Sequence, residues 1–398
     1  MAILTIGDPA PWFVAPSTSS PNFHFDTVGG HRVVLSFLGS SRMDRNGQVL
    51  QQFLAAQDYL KQHNVPFFGV LCDPSDFAFQ DEIIHPTYCK LVWDFDRAVS
   101  ARYGVCHANA AAKPSADYTP TTFILNQNLQ TVGILPVDDP VHHVEQVLTF
   151  ATKTLQDFPP PALATRQAPV LLIPNVLERE LCQRLIQLYE ADGGQDSGFM
   201  RQIEGKTVEV YDYEFKQRRD FLIQDPPLLQ HINDLILRRV KPEIEKAFQF
   251  SITRFERYLV ACYDATDQGF FRRHRDNTTK GTAHRRFAMT LNLNTTEYGG
   301  GYLWFPECGS QVYRPEVGEA VIFSCSLLHE ATPVTIGRRF ALLSFFYNDQ
   351  DAQLRERNTK YLVPSQNDET QAIGRYSPKP EKPQLGFEPK SGKRKKRS

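Results

Sequence analysis

Residues 320–347 read AVIFSCSLLHEATPVTIGRRFALLSFFY. Two apolar runs, 320–323 and 339–347, are separated by a stretch punctuated with Pro and Gly, and their β-branched and aromatic content predicts two buried strands. His329 ends the short extension of the first run, and Arg339 stands ten residues later at the head of the second, after Pro333-Val334-Thr335-Ile336-Gly337. A guanidinium there can hold a carboxylate in a two-pronged clamp.

Strands dominate the surrounding region, 255–347, whereas helical spacing marks 177–189 and 227–248 before it. Helices followed by many short strands predict a double-stranded β-helix, or jelly roll, with flanking helices. Within it lies His274-Arg275-Asp276. Residues i and i+2 of a strand share a face, so His274 and Asp276 can aim a nitrogen and a carboxylate at one point. His329 follows Asp276 by 53 residues, enough for several strands to bring the chain back. Two His and one carboxylate on one face of an octahedral ion leave three positions open, an arrangement associated with non-haem Fe(II) oxygenases. The tripeptide alone is weak evidence. His24-Phe25-Asp26, beside a Gly29-Gly30 turn, has the same form and is read as ordinary strand or loop.

The first part of the chain alternates strand (32–38), helix (47–62) and strand (66–71), which predicts a parallel βαβ unit. A hairpin is expected over 121–125 and 131–135, then a helix over 141–155. The Pro-rich stretch Phe158-Pro159-Pro160-Pro161 is stiff, because successive prolines fix φ and remove donors. The expected organisation is two-domain: an N-terminal α/β domain over 1–157, a linker over 158–168, the strand-rich domain over 169–350, and a disordered basic tail over 364–398 that ends Lys393-Arg394-Lys395-Lys396-Arg397.

Gly7-Asp8-Pro9-Ala10-Pro11, the RVVLSFL strand and Tyr118-Thr119-Pro120-Thr121-Thr122-Phe123 resemble the thioredoxin-like fold of the peroxiredoxin-type redoxins. The resemblance implies a cis Pro120 beside a redox site, yet its cysteine position falls on Asn46 and its threonine position on Met43. No cysteine lies between 1 and 71, so a scaffold or docking module without thiol chemistry is expected; a thiol peroxidase, which would need a cysteine near Asn46, is a competing reading that the sequence disfavours.

The second part resembles the prolyl 4-hydroxylase-like branch of the Fe(II)/2-oxoglutarate dioxygenases over about 169–348. Its likeness rests on Tyr263, His274-Arg275-Asp276, Tyr298-Gly299-Gly300-Gly301-Tyr302-Leu303-Trp304-Phe305-Pro306, Pro315-Glu316-Val317-Gly318-Glu319-Ala320, and His329-Glu330-Ala331-Thr332-Pro333-Val334 through Gly337-Arg338-Arg339. The resemblance implies His274, Asp276 and His329 as iron ligands, Arg339 as the 2-oxoglutarate anchor with Arg338 its rival, and ascorbate as an activator. Tyr263 and Asn292 are expected to contact the co-substrate. Phe271 departs from the family, which often has an aromatic hydroxyl there, and it cannot donate a hydrogen bond. The implied reaction is hydroxylation of a peptidyl or protein residue, proline foremost, with O2 as oxidant and succinate and CO2 as co-products. A non-catalytic metal- or 2-oxoglutarate-binding protein is the alternative, and a zinc hydrolase a further one.

Forty-four Lys+Arg against 45 Asp+Glu leave a net charge of −1, which gives no reason to expect nucleic acid as a partner, contact by the basic tail being the one exception. Near the triad Arg272, Arg273, Arg275, Lys280, His284, Arg285 and Arg286 make a locally basic segment, read first as a solvated outer face and second as the mark of an anionic or acidic-peptide substrate. Seven scattered cysteines without a C-x-x-C pair argue against a disulfide framework, and no apolar run approaches the ~20 residues of a membrane span. A cytoplasmic protein with reduced thiols and no membrane partner is expected.

Overall fold

The computed structural model describes residues 4–107, 118–154, 163 and 166–363. The basic tail and most of the expected linker lie outside the described residues.

Every residue of the strand Val33–Gly39 is buried, and it sits inside a seven-stranded mixed sheet. It pairs in parallel with Phe67–Leu71, which pairs in parallel with Cys89–Trp93, so the expected βαβ unit is present. On its other side Thr121–Leu125 and then Thr131–Pro136 run antiparallel, as the hairpin reading requires. The helical pattern over 47–62 divides into Asp44–Ala55 and Gln57–Gln62. Val49, Leu50 and Phe53 of the first pack with Val144 and Val147 of His143–Thr149 on one face of the sheet, while Phe13, Phe25, Phe68 and Tyr103 fill the other. Asn46 is buried in the first turn of Asp44–Ala55, and its Nδ2 donates to Leu38 O at 2.7 Å. Contrary to the implied cis geometry, no described peptide bond is cis, Pro120 included.

After residue 166 two further sheets face each other. One follows the order Leu171–Ile173, Ala320–Ser324, Phe287–Asn292, Arg338–Tyr347, Leu259–Asp264, Arg219–Leu222, Gln195–Asp196. Helices Arg179–Asp192, Pro226–Leu235 and Lys241–Phe248 cover its outer face through Leu181, Leu185, Leu228, Ile232 and Ile244. The other follows Lys216–Gln217, Phe270–His274, His329–Ala331, Leu303–Trp304, Val312–Tyr313. Two small apolar clusters, one around Phe305 and Phe323 and one around Tyr263 and Phe271, occupy the space between the sheets.

The chain does not end its ordered structure near 350 as expected. Helix Asp349–Asn358 and a 3-10 turn, Thr359–Tyr361, follow. Polar contacts hold this segment, so its sequence carries no apolar period: Asp351 is buried against Arg286, Asp349 pairs with Arg254 at 2.6 Å, and Leu362 bridges Thr207.

Gly7 and Asp8 join the two halves. Asp8 is buried and accepts from Thr5 N at 2.7 Å, from Arg239 Nε at 3.3 Å and from Arg238. Arg239, itself 1% exposed, also reaches Glu178 at 2.7 Å and Val176 O at 2.9 Å. Gly7 has φ +93° and a Cβ there would lie 2.3 Å from Asn175 O, so only glycine fits at this junction.

Candidate active site

His274 ends the strand Phe270–His274, and His329 begins His329–Ala331; the antiparallel register sets the two directly opposite each other. Their rings lie 4.3 Å apart. Asp276 has left the strand, but its N–H donates to Cys325 O at 2.9 Å, and this turn returns its carboxylate to the same point. His274 Nδ1–H donates to Arg272 O at 2.7 Å and His329 Nδ1–H to Leu327 O at 3.0 Å. These bonds select the tautomer and leave both Nε2 lone pairs turned inward. Each Nε2 is 3.5 Å from one oxygen of Asp276.

The three groups offer ligand atoms within 4.8 Å of one another, the only such cluster of three or more among the described residues. Burial opposes ionisation of Asp276, but His329 and His274 outweigh it and hold the carboxyl at about 2. Burial, then the neighbouring His274, pushes the His329 imidazole down to about 4. A neutral imidazole beside an ionised carboxylate is the state a divalent cation needs, so this donor set fits a six-coordinate metal with open positions. Phe271 stacks on His274 at 3.6 Å and Phe323 meets His329 edge-on at 4.7 Å, fixing both rings.

The site opens into a cavity of about 500 Å³ between the sheets. Arg339 lines it and is buried; its Nη2 donates to Thr290 Oγ1 at 3.1 Å and to Asn292 Oδ1 at 3.2 Å. Tyr263 also lines it, accepting at its hydroxyl from Arg218 Nη1 at 3.3 Å. Adjacent strand residues face opposite ways, and Arg338 is exposed, paired to Glu190 at 2.6 Å. Asn292 departs from expectation. It is fully buried behind Arg339, with its Nδ2 committed to Tyr298 Oη at 2.6 Å and Pro315 O at 3.0 Å, so it orients the guanidinium and has no donor left for a ligand.

The glycines quoted above serve this packing. Gly301 has φ +62°, and a Cβ there would lie 2.7 Å from Val334 Cγ2 and 3.1 Å from Arg339 Cδ. The basic segment near the triad is not a uniformly solvated face. His284 is buried on Glu256, which also pairs with half-buried Arg285, while Arg286 pairs with Asp351, Arg275 with Glu307 at 2.6 Å, and Arg273 with Glu330 at 3.2 Å. His24 and Asp26, 3.9 Å apart, are both exposed and belong to no metal-binding cluster.

Sequence reasoning missed Lys216, Arg218, Asp220 and Thr290, all of which line the cavity. The only signal was the charged run Lys216-Gln217-Arg218-Arg219-Asp220 between the two helical patterns.

Two inward-facing imidazoles, one carboxylate and a buried arginine lining one cavity define a non-haem metal site of the oxygenase type. Residues 258–347 match the 2OG-Fe(II) oxygenase superfamily profile. A PKHD-type hydroxylase of Shewanella sp. strain ANA-3 is 30% identical over 186 residues, covering 42% of this chain and 74% of the relative. The chain belongs to the 2OG-Fe(II) oxygenase superfamily, alongside the PKHD-type hydroxylases. It is a dioxygenase that uses Fe(II) and 2-oxoglutarate, and its reaction is a hydroxylation.

Among solved structures, similarity extends to a prolyl hydroxylase of Trichoplax adhaerens bound to a hypoxia inducible factor peptide fragment (19% identity, TM-score 0.36, 47% of this chain and 86% of that one). It also extends to a cysteine-to-serine mutant of Xylella fastidiosa PrxQ (17% identity, TM-score 0.33, 39% of this chain and 99% of that one). No helix among the described residues is long and apolar enough to cross a membrane.

Proposed function

We propose that the enzyme hydroxylates a residue of a peptide or protein, proline foremost. His274, Asp276 and His329 hold the iron, Arg339 anchors the distal carboxylate of 2-oxoglutarate with Tyr263 beside it, and ascorbate sustains turnover. The opposed register of His274 and His329, with both Nε2 atoms on Asp276, carries this reading. When bound, Fe(II) and 2-oxoglutarate supply the oxidising power: decarboxylation to succinate and CO2 accompanies transfer of one oxygen atom of O2 to a C–H bond. The chain's part is to hold both imidazoles with Nε2 inward, to orient Arg339 through Thr290 and Asn292, and to exclude bulk water with Phe271, Phe305 and Phe323.

On this reading the chain divides into a thioredoxin-like domain over 1–157, a linker over 158–168 and a double-stranded β-helix from 169 whose end extends to 363. The first acts as a scaffold without thiol chemistry. Asn46 occupies the helix start a reactive cysteine would need, and burial pushes the nearby Cys72 thiol up to about 12.

The test combines Fe(II), 2-oxoglutarate, O2 and ascorbate with a pool of proline-containing peptides. Peptide-stimulated succinate, a mass gain of one oxygen on a peptide, and loss of both in His274→Ala are expected. Succinate without any oxygenated peptide would overturn the peptide assignment, and iron-loaded protein that makes none would overturn the residue roles.

A further inference from the structure

Charge in the cavity is not closed by the groups that the metal and co-substrate use. Arg285 is neutralised by Glu256 in a two-pronged pair at 2.8 and 2.9 Å, and Arg275 by Glu307. Arg339 is reserved for the co-substrate, and Asp276 for the metal. What remains lies on the wall formed by Lys216 and its neighbours. Arg218 pairs with Asp220 at 2.6 Å. Lys216 is also buried, and its Nζ donates to Ser197 Oγ at 2.7 Å and Gly198 O at 2.6 Å, both neutral acceptors. One half-buried carboxylate, Asp220, thus faces both Arg218 and the buried Lys216. Ser197 in turn donates its own proton to Asp220, so Lys216 reaches that carboxylate only through a hydroxyl.

The imbalance continues outward. Arg201 and Arg257 line the mouth and are exposed, and neither has an ion-pair partner among the described residues; the half-buried Glu209 lines the same cavity and acts electrostatically on Lys216. Burial, with Arg218 beside it, pushes the Lys216 amine well below its ordinary 10.5, and a ligand carboxylate held at Nζ restores the ammonium by supplying the missing anion. Lys216 is well placed to receive one: Nζ lies 4.8 Å from the centre of the Phe271 ring, which also stacks on His274. A group held by Lys216 is therefore one aromatic ring away from the metal ligands.

We propose that the substrate presents a carboxylate next to the residue that is hydroxylated, received by Lys216 with Arg257 and Arg201 at the mouth, so that the enzyme selects acidic peptides. This rests on the peptide hydroxylase reading above. Lys216 is a specificity-determining residue in it, distinct from the co-substrate anchor Arg339. The carboxylate can come from an Asp or Glu side chain or from a peptide C-terminus, and the probes separate these.

The test is binding to the full chain loaded anaerobically with Fe(II) and 2-oxoglutarate, read by fluorescence anisotropy. The probes are labelled proline peptides with Asp, Asn or Lys flanking the proline, each with free and amidated C-termini, and the binding of N-acetylaspartate is measured separately by isothermal titration calorimetry. The Asp peptide is expected to bind about tenfold or more tightly than its Asn counterpart, with that preference lost in Lys216→Met and weakened by salt. Because Lys216→Met removes two internal hydrogen bonds and can unfold the wall, Arg257→Gln, an exposed position, is measured beside it and is expected to reduce the same preference by about two- to fivefold. Equal binding of Asp and Asn peptides, or a preference that survives both substitutions, overturns the proposal and leaves the peptide reading standing. If no peptide binds but N-acetylaspartate does so in a Lys216-dependent way, the anionic site stands and the peptide reading falls. If nothing binds, both fall.

Discussion

Arg339 offers the most quantitative test of the site. Its Nε and Nη2 atoms are engaged by Asn292 and Thr290, whereas Nη1 has no hydrogen-bond partner among the described residues, so two N–H donors remain for a carboxylate inside the cavity. Hydrogen bonds to charged groups contribute about 1.5–3 kcal/mol each, so removing two costs roughly 3–6 kcal/mol. That corresponds to a loss of about 10²–10⁴ in affinity for 2-oxoglutarate. The assay is an anaerobic titration of the Fe(II)-loaded protein with 2-oxoglutarate, followed by the visible metal-to-ligand charge-transfer band. Arg339→Met is expected to shift the midpoint by that factor. Arg339→Lys should fall between, because an ammonium keeps the charge but loses the planar fork. Arg338→Met, which removes an exposed pair with Glu190, should change the midpoint by less than about twofold. Wild-type affinity in Arg339→Met, or a larger effect from Arg338→Met, would refute the assignment.

Gly301→Ala places a methyl against Val334 and Arg339 at φ +62°, so it should destabilise the fold by about 1–2 kcal/mol and raise the KM for 2-oxoglutarate while sparing kcat; an unchanged KM in steady-state kinetics counts against the packing argument. Glu256→Gln removes a buried carboxylate and the counter-charge of half-buried Arg285, and is expected to cost about 3–5 kcal/mol near neutral pH in denaturant unfolding. Burial opposes the Glu256 carboxylate, but Arg285 and His284 hold it well below its ordinary 4.5, so its contribution is full above that pH and is lost as pH falls towards the folded value. The gap between wild type and Glu256→Gln should therefore narrow by about 1.4 kcal/mol for each pH unit below that point, and a gap independent of pH would contradict it. Asp8→Ala leaves buried Arg239 short of a partner across the junction and should lower unfolding stability by about 3 kcal/mol; a change within about 0.5 kcal/mol would mean that the two halves do not depend on this contact.

Much of the fold was legible because burial writes a period into the chain. Val33–Gly39 and Phe67–Leu71 are buried on both faces and read as continuous apolar runs. Helix Asp349–Asn358 was not, since it is held by Asp351 on Arg286 and Asp349 on Arg254 rather than by an apolar face. The junction was equally silent. Gly7-Asp8 reads locally as a redoxin-like opening, and nothing local tells that its glycine meets Asn175 and its carboxylate meets Arg239, 231 positions away.

The triad could be read because metal ligation restricts residue type, and strand pairing then brings His274 opposite His329 without any further coincidence. Charge has no such restriction. Seven basic residues near the triad invited an electrostatic argument, yet Arg273, Arg275, Arg285 and Arg286 each have a carboxylate that comes from a distant segment: Glu330, Glu307, Glu256 and Asp351. The cations that face the cavity without one, Lys216, Arg201 and Arg257, lie on separate strands and hairpins in a region with no motif. An ion pair neutralises its members wherever they fall in the chain, so the sign of a binding surface is set by what is left after pairing, and only the fold performs that subtraction. The anionic substrate suggested by the basic segment is thus retained for a different set of residues, Lys216 with Arg257 and Arg201.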